Sequence, residues 1–153
     1  MAQDESLQYQ NTQMGYVTGG SGLAALLIMY AGFRDDRDTL GPWGLALLGG
    51  FGLLTVLFSS LTVEVTDQVL RFYFGPGFWK RQFPLSDIRS VKTVRNAVYH
   101  GWGIRHTMLG WLYNVSGLRA VELEIEGEGT IRIGSDEPEQ LKRALEDALQ
   151  RTS

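Results

Sequence analysis

Two apolar runs, YVTGGSGLAALLIMYAGF (Tyr16–Phe33) and PWGLALLGGFGLLTVLFSSL (Pro42–Leu61), fill the first third of the chain, and no third run follows. Neither contains Asp, Glu, Lys or Arg. An uncharged stretch of about 18 residues or more is the length that crosses a hydrocarbon core as a helix. The expected organisation is therefore a disordered tail over 1–15, a transmembrane helical hairpin over 16–60 (spans 16–33 and 42–60), and a domain over 61–150. The tail carries Asp4 and Glu5 and no basic residue, unlike a secretory signal peptide. Of the 14 Lys and Arg, only Arg34 and Arg37 lie in the connector between the runs, and the rest follow Leu61. By the positive-inside rule, the expectation is a multi-pass inner-membrane protein with both termini cytoplasmic. The bilayer is then an integral partner.

The runs also limit what the protein does. They hold no charged residue that could relay a proton or line an ion path, so transport by the hairpin is not expected. Gly20-xxx-Ala24 and Ala46-xxx-Gly50 have the small-xxx-small spacing that allows close helix approach. That spacing serves either packing within the hairpin or association between copies.

After Leu61 the period changes from that of a helix to two. Leu61, Val63 and Val65 alternate with Thr62, Glu64 and Thr66, a half-buried strand. Asp67-Gln68 reads as a turn, Val69–Phe74 as the return strand, Gly75-Pro76-Gly77 as a second turn and Phe78–Phe83 as a third strand. The spacing of Ile88, Val91 and Val94 predicts a short turn or bulge entering a strand. Tyr99–Gly117 predicts two strands joined around His106–Gly110, and Ala120–Glu126 with Thr130–Ile133 a hairpin across Gly127-Glu128-Gly129. A final helix is expected, with Asp136 as its cap, Pro138 in its first turn, Glu139 completing a capping-box pattern, and an apolar stripe of Leu141, Ala144, Leu145, Ala148 and Leu149.

The segments PLSDI (84–88), GWGIR (101–105), GWLYNVSG (110–117), AVELEI (120–125) and RIGSDEPEQL (132–141) resemble the bacterial pleckstrin-homology-like domains of small membrane proteins. The resemblance implies a mainly β domain of about seven strands, a partial barrel covered by one C-terminal amphipathic helix. Relatives of that fold bind phosphoinositides through a basic cluster in the loop after the first strand. Here that loop is Thr66-Asp67-Gln68 and has no basic residue.

Chemistry has few carriers. There is no cysteine, and the two histidines, His100 and His106, have no third ligand near them in sequence. No phosphate-cradling glycine loop occurs, and no serine has a base pattern beside it. The reading is a non-enzymatic protein with no metal and no cofactor. The row Glu122, Glu124, Glu126 and Glu128 reads as a solvated strand face.

Charge is more informative than any motif. Residues 69–119 hold eight basic groups and one acid, whereas 120–150 hold nine acids and three basic groups. Either the basic half forms a face for an anionic surface, or the halves interleave and neutralise each other. The candidate lipid or partner surface is Arg71, Lys80, Arg81, Lys92, Arg95, Trp102 and Arg105. Nucleic acid is not expected, since after Leu61 basic and acidic residues balance at 12 each. Trp111 is expected in the core, while Trp102, between Gly101 and Gly103, stays open between core and surface. The expected function is an interaction module binding a protein partner or itself at the membrane surface, with anionic lipid headgroups as the alternative ligand.

Overall fold

Alternating apolar and polar residues, as in 60–66 and 119–125, build the central strands of the molecule. A computed structural model describes residues 6–35, 37–97 and 103–152. Its elements are β1 (Leu7–Met14), α1 (Tyr16–Asp35), α2 (Arg37–Leu57), β2 (Ser60–Thr66), β3 (Val69–Phe74), β4 (Trp79–Pro84), β5 (Ile88–Arg95), β6 (Gly103–Thr107), β7 (Gly110–Asn114), β8 (Arg119–Ile125), β9 (Gly129–Gly134) and α3 (Pro138–Thr152). One sheet has the order β1-β2-β3-β4, the other β5-β8-β9-β7-β6. All pairings are antiparallel except β7 with β9, a parallel pair.

The core lies between the inner faces of the sheets and under α3. Leu61, Val63, Val65, Leu70, Phe72 and Phe74 come from the first sheet. Val121, Leu123, Ile131 and Ile133 come from the second, and Leu141, Leu145 and Ala148 from α3. Phe72 meets Tyr113 at 4.8 Å between ring centroids, joining the two layers by an aromatic contact. The apolar stripe of α3 is buried as its spacing requires. Its cap differs from the expected one: Ser135 Oγ accepts the Glu137 N–H at 3.1 Å, and Asp136 gives its carbonyl oxygen to Arg119. Pro138 opens the helix, where a missing N–H costs nothing.

Turn chemistry places the strand ends. Thr66 Oγ1 accepts from the N–H groups of Gln68 and Val69, closing the β2–β3 turn. A 3-10 turn, Leu85–Asp87, followed by a register shift between Ile88 and Ser90, leads into β5. This is the turn and bulge that the three-residue spacing of Ile88, Val91 and Val94 predicts.

Three expectations are corrected. The membrane-spanning hairpin is the first: among the described residues no helix is long and apolar enough to cross a membrane. α1 carries Thr18-Gly19-Gly20-Ser21-Gly22 in its first two turns and ends on Arg34-Asp35, and α2 opens on Arg37-Asp38-Thr39 and contains Pro42. The strongly apolar part is roughly 11 residues in α1 (Leu23–Phe33) and roughly 15 in α2 (Trp43–Leu57), short of the ~20 a span needs. The multi-pass inner-membrane location with both termini cytoplasmic rested on those spans and falls with them. The second correction is at the N-terminus, where β1 precedes the first helix instead of a disordered tail. The polar sequence LQYQNTQM has no strand pattern of its own, and its backbone is recruited by the open edge of β2. Third, among the described residues nine strands in two sheets replace a partial barrel of about seven.

β1 also holds a titrating group. Burial, with Glu137 nearby, raises the Tyr9 phenol from 10.0 to about 12. A group that binds its proton more tightly when folded stabilises the fold below its unfolded pKa. That contribution is lost as pH rises through the folded one. Stability is therefore expected to fall between pH 10.0 and about 12. Tyr73 and Tyr113, also raised by burial, add to the loss. Thermal unfolding across this range should show a shallower decline in Tyr9→Phe, and an identical slope would remove Tyr9 from the account.

Candidate functional site

The helical hairpin grows out of a β-ribbon. β1 runs directly into α1, α2 runs back into β2, and β1 and β2 are hydrogen-bonded neighbours. Gly15 N–H donates to Ser59 C=O at 2.6 Å, closing the base between the two helix ends. Further bonds lock β1 to the domain: Gln13 Nε2 donates to Ser116 C=O, Ser116 Oγ to Met14 C=O, and Asn11 Nδ2 to Glu137. Below α2, the ring of Phe58 lies against Phe74 at 5.7 Å and Phe78 at 6.3 Å. Gly75, at φ 51°, sits where a Cβ would be 2.6 Å from Leu57 O. The hairpin is therefore fixed to the domain at both of its ends.

Its two helices pack against each other, with glycines at points of approach. A Cβ on Gly22 would run into the side chain of Thr55, and one on Gly52 would lie 3.9 Å from Leu26. The residues singled out by small-xxx-small spacing lie elsewhere. Gly20, Ala24, Ala46 and Gly50 are exposed, and a Cβ on Gly20 or Gly50 would meet nothing within 4 Å. Gly22→Ile is expected to separate the helices and lower the unfolding temperature, whereas Gly20→Ile should leave it nearly unchanged. Equal losses in the two variants would remove the Gly22–Thr55 lane as the hairpin's internal contact.

Apolar exposure is the dominant property of this hairpin. Among the described residues, twelve large apolar side chains between Tyr16 and Val56 are exposed, including Leu27 at 60%, Ile28 at 73%, Trp43 at 80%, Leu45 at 73% and Leu53 at 60%. Together they expose on the order of 1,000 Å² or more, against the few hundred Å² of the largest patch on a typical monomer. Consecutive residues on a helix point about 100° apart. Exposure of both Leu27 and Ile28, and of both Leu53 and Leu54, therefore spreads the apolar surface around the hairpin.

The charged residues behave differently. Arg81 pairs with Glu128 at 2.8 Å, Arg89 with Glu126, Arg132 with Glu122 at 2.7 Å and Arg71 with Glu64 at 3.6 Å. Glu124 accepts from Ser90. Lys92 stands opposite Glu122 in the β5–β8 ladder. The glutamate row is thus an acidic strand laid against basic partners rather than a plain solvated face. Of the two readings of the charge pattern, interleaving is the one realised. Of the candidate surface, Arg71, Lys80 and Arg81 lie on β3 and β4 of one sheet. Lys92 and Arg95 lie on one edge of the other sheet, and Arg105 on its opposite edge. The structure does not bring them to one face. Trp102 and His100 lie outside the described residues.

Trp111, expected in the core, is 39% exposed. Its ring stacks on Tyr113 at 6.3 Å and takes the edge of His106 at 5.1 Å. It lies beside the β6–β7 tip, where Met108 and Leu109 are exposed. Among the described residues no group of three or more His, Cys, Asp or Glu is placed to hold a metal ion. No protein-family model matches the chain, and no curated protein is similar to it.

Proposed function

We propose that this protein is a non-enzymatic interaction module whose working surface is the α1–α2 hairpin, and that the hairpin's partner is a further copy of the same chain. The observation that carries this reading is the apolar surface of the hairpin. A standard stable interface buries about 800 Å² per partner, and the exposed area reaches that size. The apolar segments 23–32 and 43–57 carry no charge, so they offer no pattern by which to select a charged partner. Gly20, Ala24, Ala46 and Gly50 lie exposed beside the large side chains and provide lanes for close helix approach. A single groove would cover one side only, so hairpins packing around each other in a closed oligomer account best for exposure on all sides. The domain then presents its neutralised surface outward.

The lipid-headgroup reading of the basic strands has less support, because Arg71 and Arg81 are paired and the remaining cations lie on separate edges. Sedimentation equilibrium of the full chain tests the assembly. The expected result is a discrete mass of two or more chains that dissociates on dilution. A single-chain mass at all concentrations would overturn it. So would a protein kept in solution only by detergent or lipid, since the hairpin's cover would then not be protein.

A further inference from the structure

Arg89, Lys92 and Arg132 of the second sheet each have an acidic neighbour, whereas Arg95 and Arg119 face each other. Arg95, at the end of β5, and Arg119, at the start of β8, stand directly opposite each other in the antiparallel ladder. Among the described residues neither has a carboxylate within salt-bridge distance. Like charges directly opposite in a ladder destabilise it. Both line a cavity of about 620 Å³, together with Thr93, Leu118, Pro138 and Glu139. Arg119 is held in place by donating to Asp136 C=O at 2.5 Å. Pro138 and Glu139, in the first turn of the 15-residue α3, line one side of this cavity, which is open to solvent.

We infer that Arg95 and Arg119 form a binding site for a phosphate monoester. A dianion matches two adjacent guanidinium groups, each of which can offer a pair of parallel N–H donors to phosphate oxygens. The cavity is larger than a phosphate, and Val94, Leu118 and Pro138 give it an apolar wall for an organic substituent. The carboxylate on its lining, Glu139, opposes the anion and weakens binding. The phosphate can belong to a soluble molecule or to a lipid headgroup, and the chemistry of recognition is the same. This site is separate from the hairpin and does not depend on what covers α1 and α2.

The test uses the full-length chain and titrates it with inorganic phosphate, then with vesicles of phosphatidylcholine with and without phosphatidic acid. Saturable phosphate binding is expected, weakened at least tenfold in Arg95→Gln and strengthened several-fold in Glu139→Gln. Arg95→Gln should also raise the unfolding temperature in phosphate-free buffer by about 1–3 °C, because it removes the like-charge pair. A residue with only a structural role would not lose binding while gaining stability. Binding that is stronger to phosphatidic acid vesicles than to phosphatidylcholine alone, and dependent on Arg95, identifies the headgroup as the source. Dependence on Arg95 with inorganic phosphate only identifies a soluble one. No saturable binding of either probe overturns the site. The site is equally overturned if binding survives Arg95→Gln, or if the remote Lys80→Gln weakens it to the same extent.

Discussion

Leu27→Glu combined with Leu47→Glu is expected to reduce the assembled protein to single chains without unfolding its β domain. Both leucines are exposed in the single chain, at 60% and 61%, so the substitutions disturb no packing within it. In the proposed assembly each leucine would be covered, and losing the burial of one such side chain costs about 1.5–3 kcal/mol. A glutamate at the same position adds the cost of an unpaired charge inside an apolar contact. Self-association should therefore weaken at least about a hundredfold, since every 1.4 kcal/mol or so is tenfold. The far-UV spectrum and the near-UV signal of Tyr113 and its neighbours should be unchanged, because the core lies elsewhere. Sedimentation of the double variant decides the matter: an unaltered mass would show that the hairpin is not the assembling surface. A monomer with a lost near-UV signal would show instead that the substitutions act by unfolding.

Gly110→Ala is expected to be the most damaging single methyl group in the domain. Gly110 has φ 115°, a conformation that L side chains rarely adopt. A Cβ there would overlap Thr130 O and lie 2.8 Å from its carbonyl carbon. That obstacle is the backbone of β9 and not the movable end of a side chain. The next residues, Trp111 to Tyr113, are paired in parallel with Ile131 to Ile133, so relief of the clash breaks the pairing that holds β7 and β6 to the sheet. Strain of about 1–3 kcal/mol plus lost strand pairing predicts a loss of about 3 kcal/mol or more. Gly127→Ala is the control: φ is 80° but nothing lies within 4 Å of its Cβ, so only the conformational cost of about 1 kcal/mol applies. Urea unfolding of the two variants at equal m-value separates them, and equal midpoints would mean that the contact with Thr130 yields at no cost.

The elements after Leu61 were legible in the sequence because each rests on a local rule. Alternation in Leu61–Thr66 and Ala120–Glu126, the glycine turns at 75–77 and 127–129, and the apolar stripe of α3 all correspond to elements of the structure. Failures fall where distant residues decide. β1 is polar and unpatterned, and becomes a strand only because β2 offers an unpaired edge fifty residues away. Trp111 has the size of a core residue and shares a face of β7 with the buried Tyr113, yet it sits at the strand's end beside the exposed β6–β7 tip and stays partly exposed. The acidic row on β8 reads as solvated until β5 and β9 bring Arg89 and Arg132 against it. The candidate site was half visible. Apolarity and the small residues of the hairpin were plain, but not which glycines face the other helix. Arg95 could be singled out by charge, whereas its position opposite Arg119 depends on strand pairing.

By itself, the sequence determined that two apolar helices accompany a run of strands closed by an amphipathic helix, but not that a strand precedes them. Hydrophobic periodicity and turn residues act within a few positions of each other and need no partner to be read. It also determined that an uncharged, glycine-rich surface exists that water does not favour. Only the tertiary structure decided that acidic side chains of β8 and its turn are laid against basic ones, that Arg95 stands beside Arg119 in the β5–β8 ladder, and that the hairpin stands exposed on a clamped β1–β2 base. Those outcomes depend on strand order and register, and a shift of one residue in a strand moves every side chain to the opposite face.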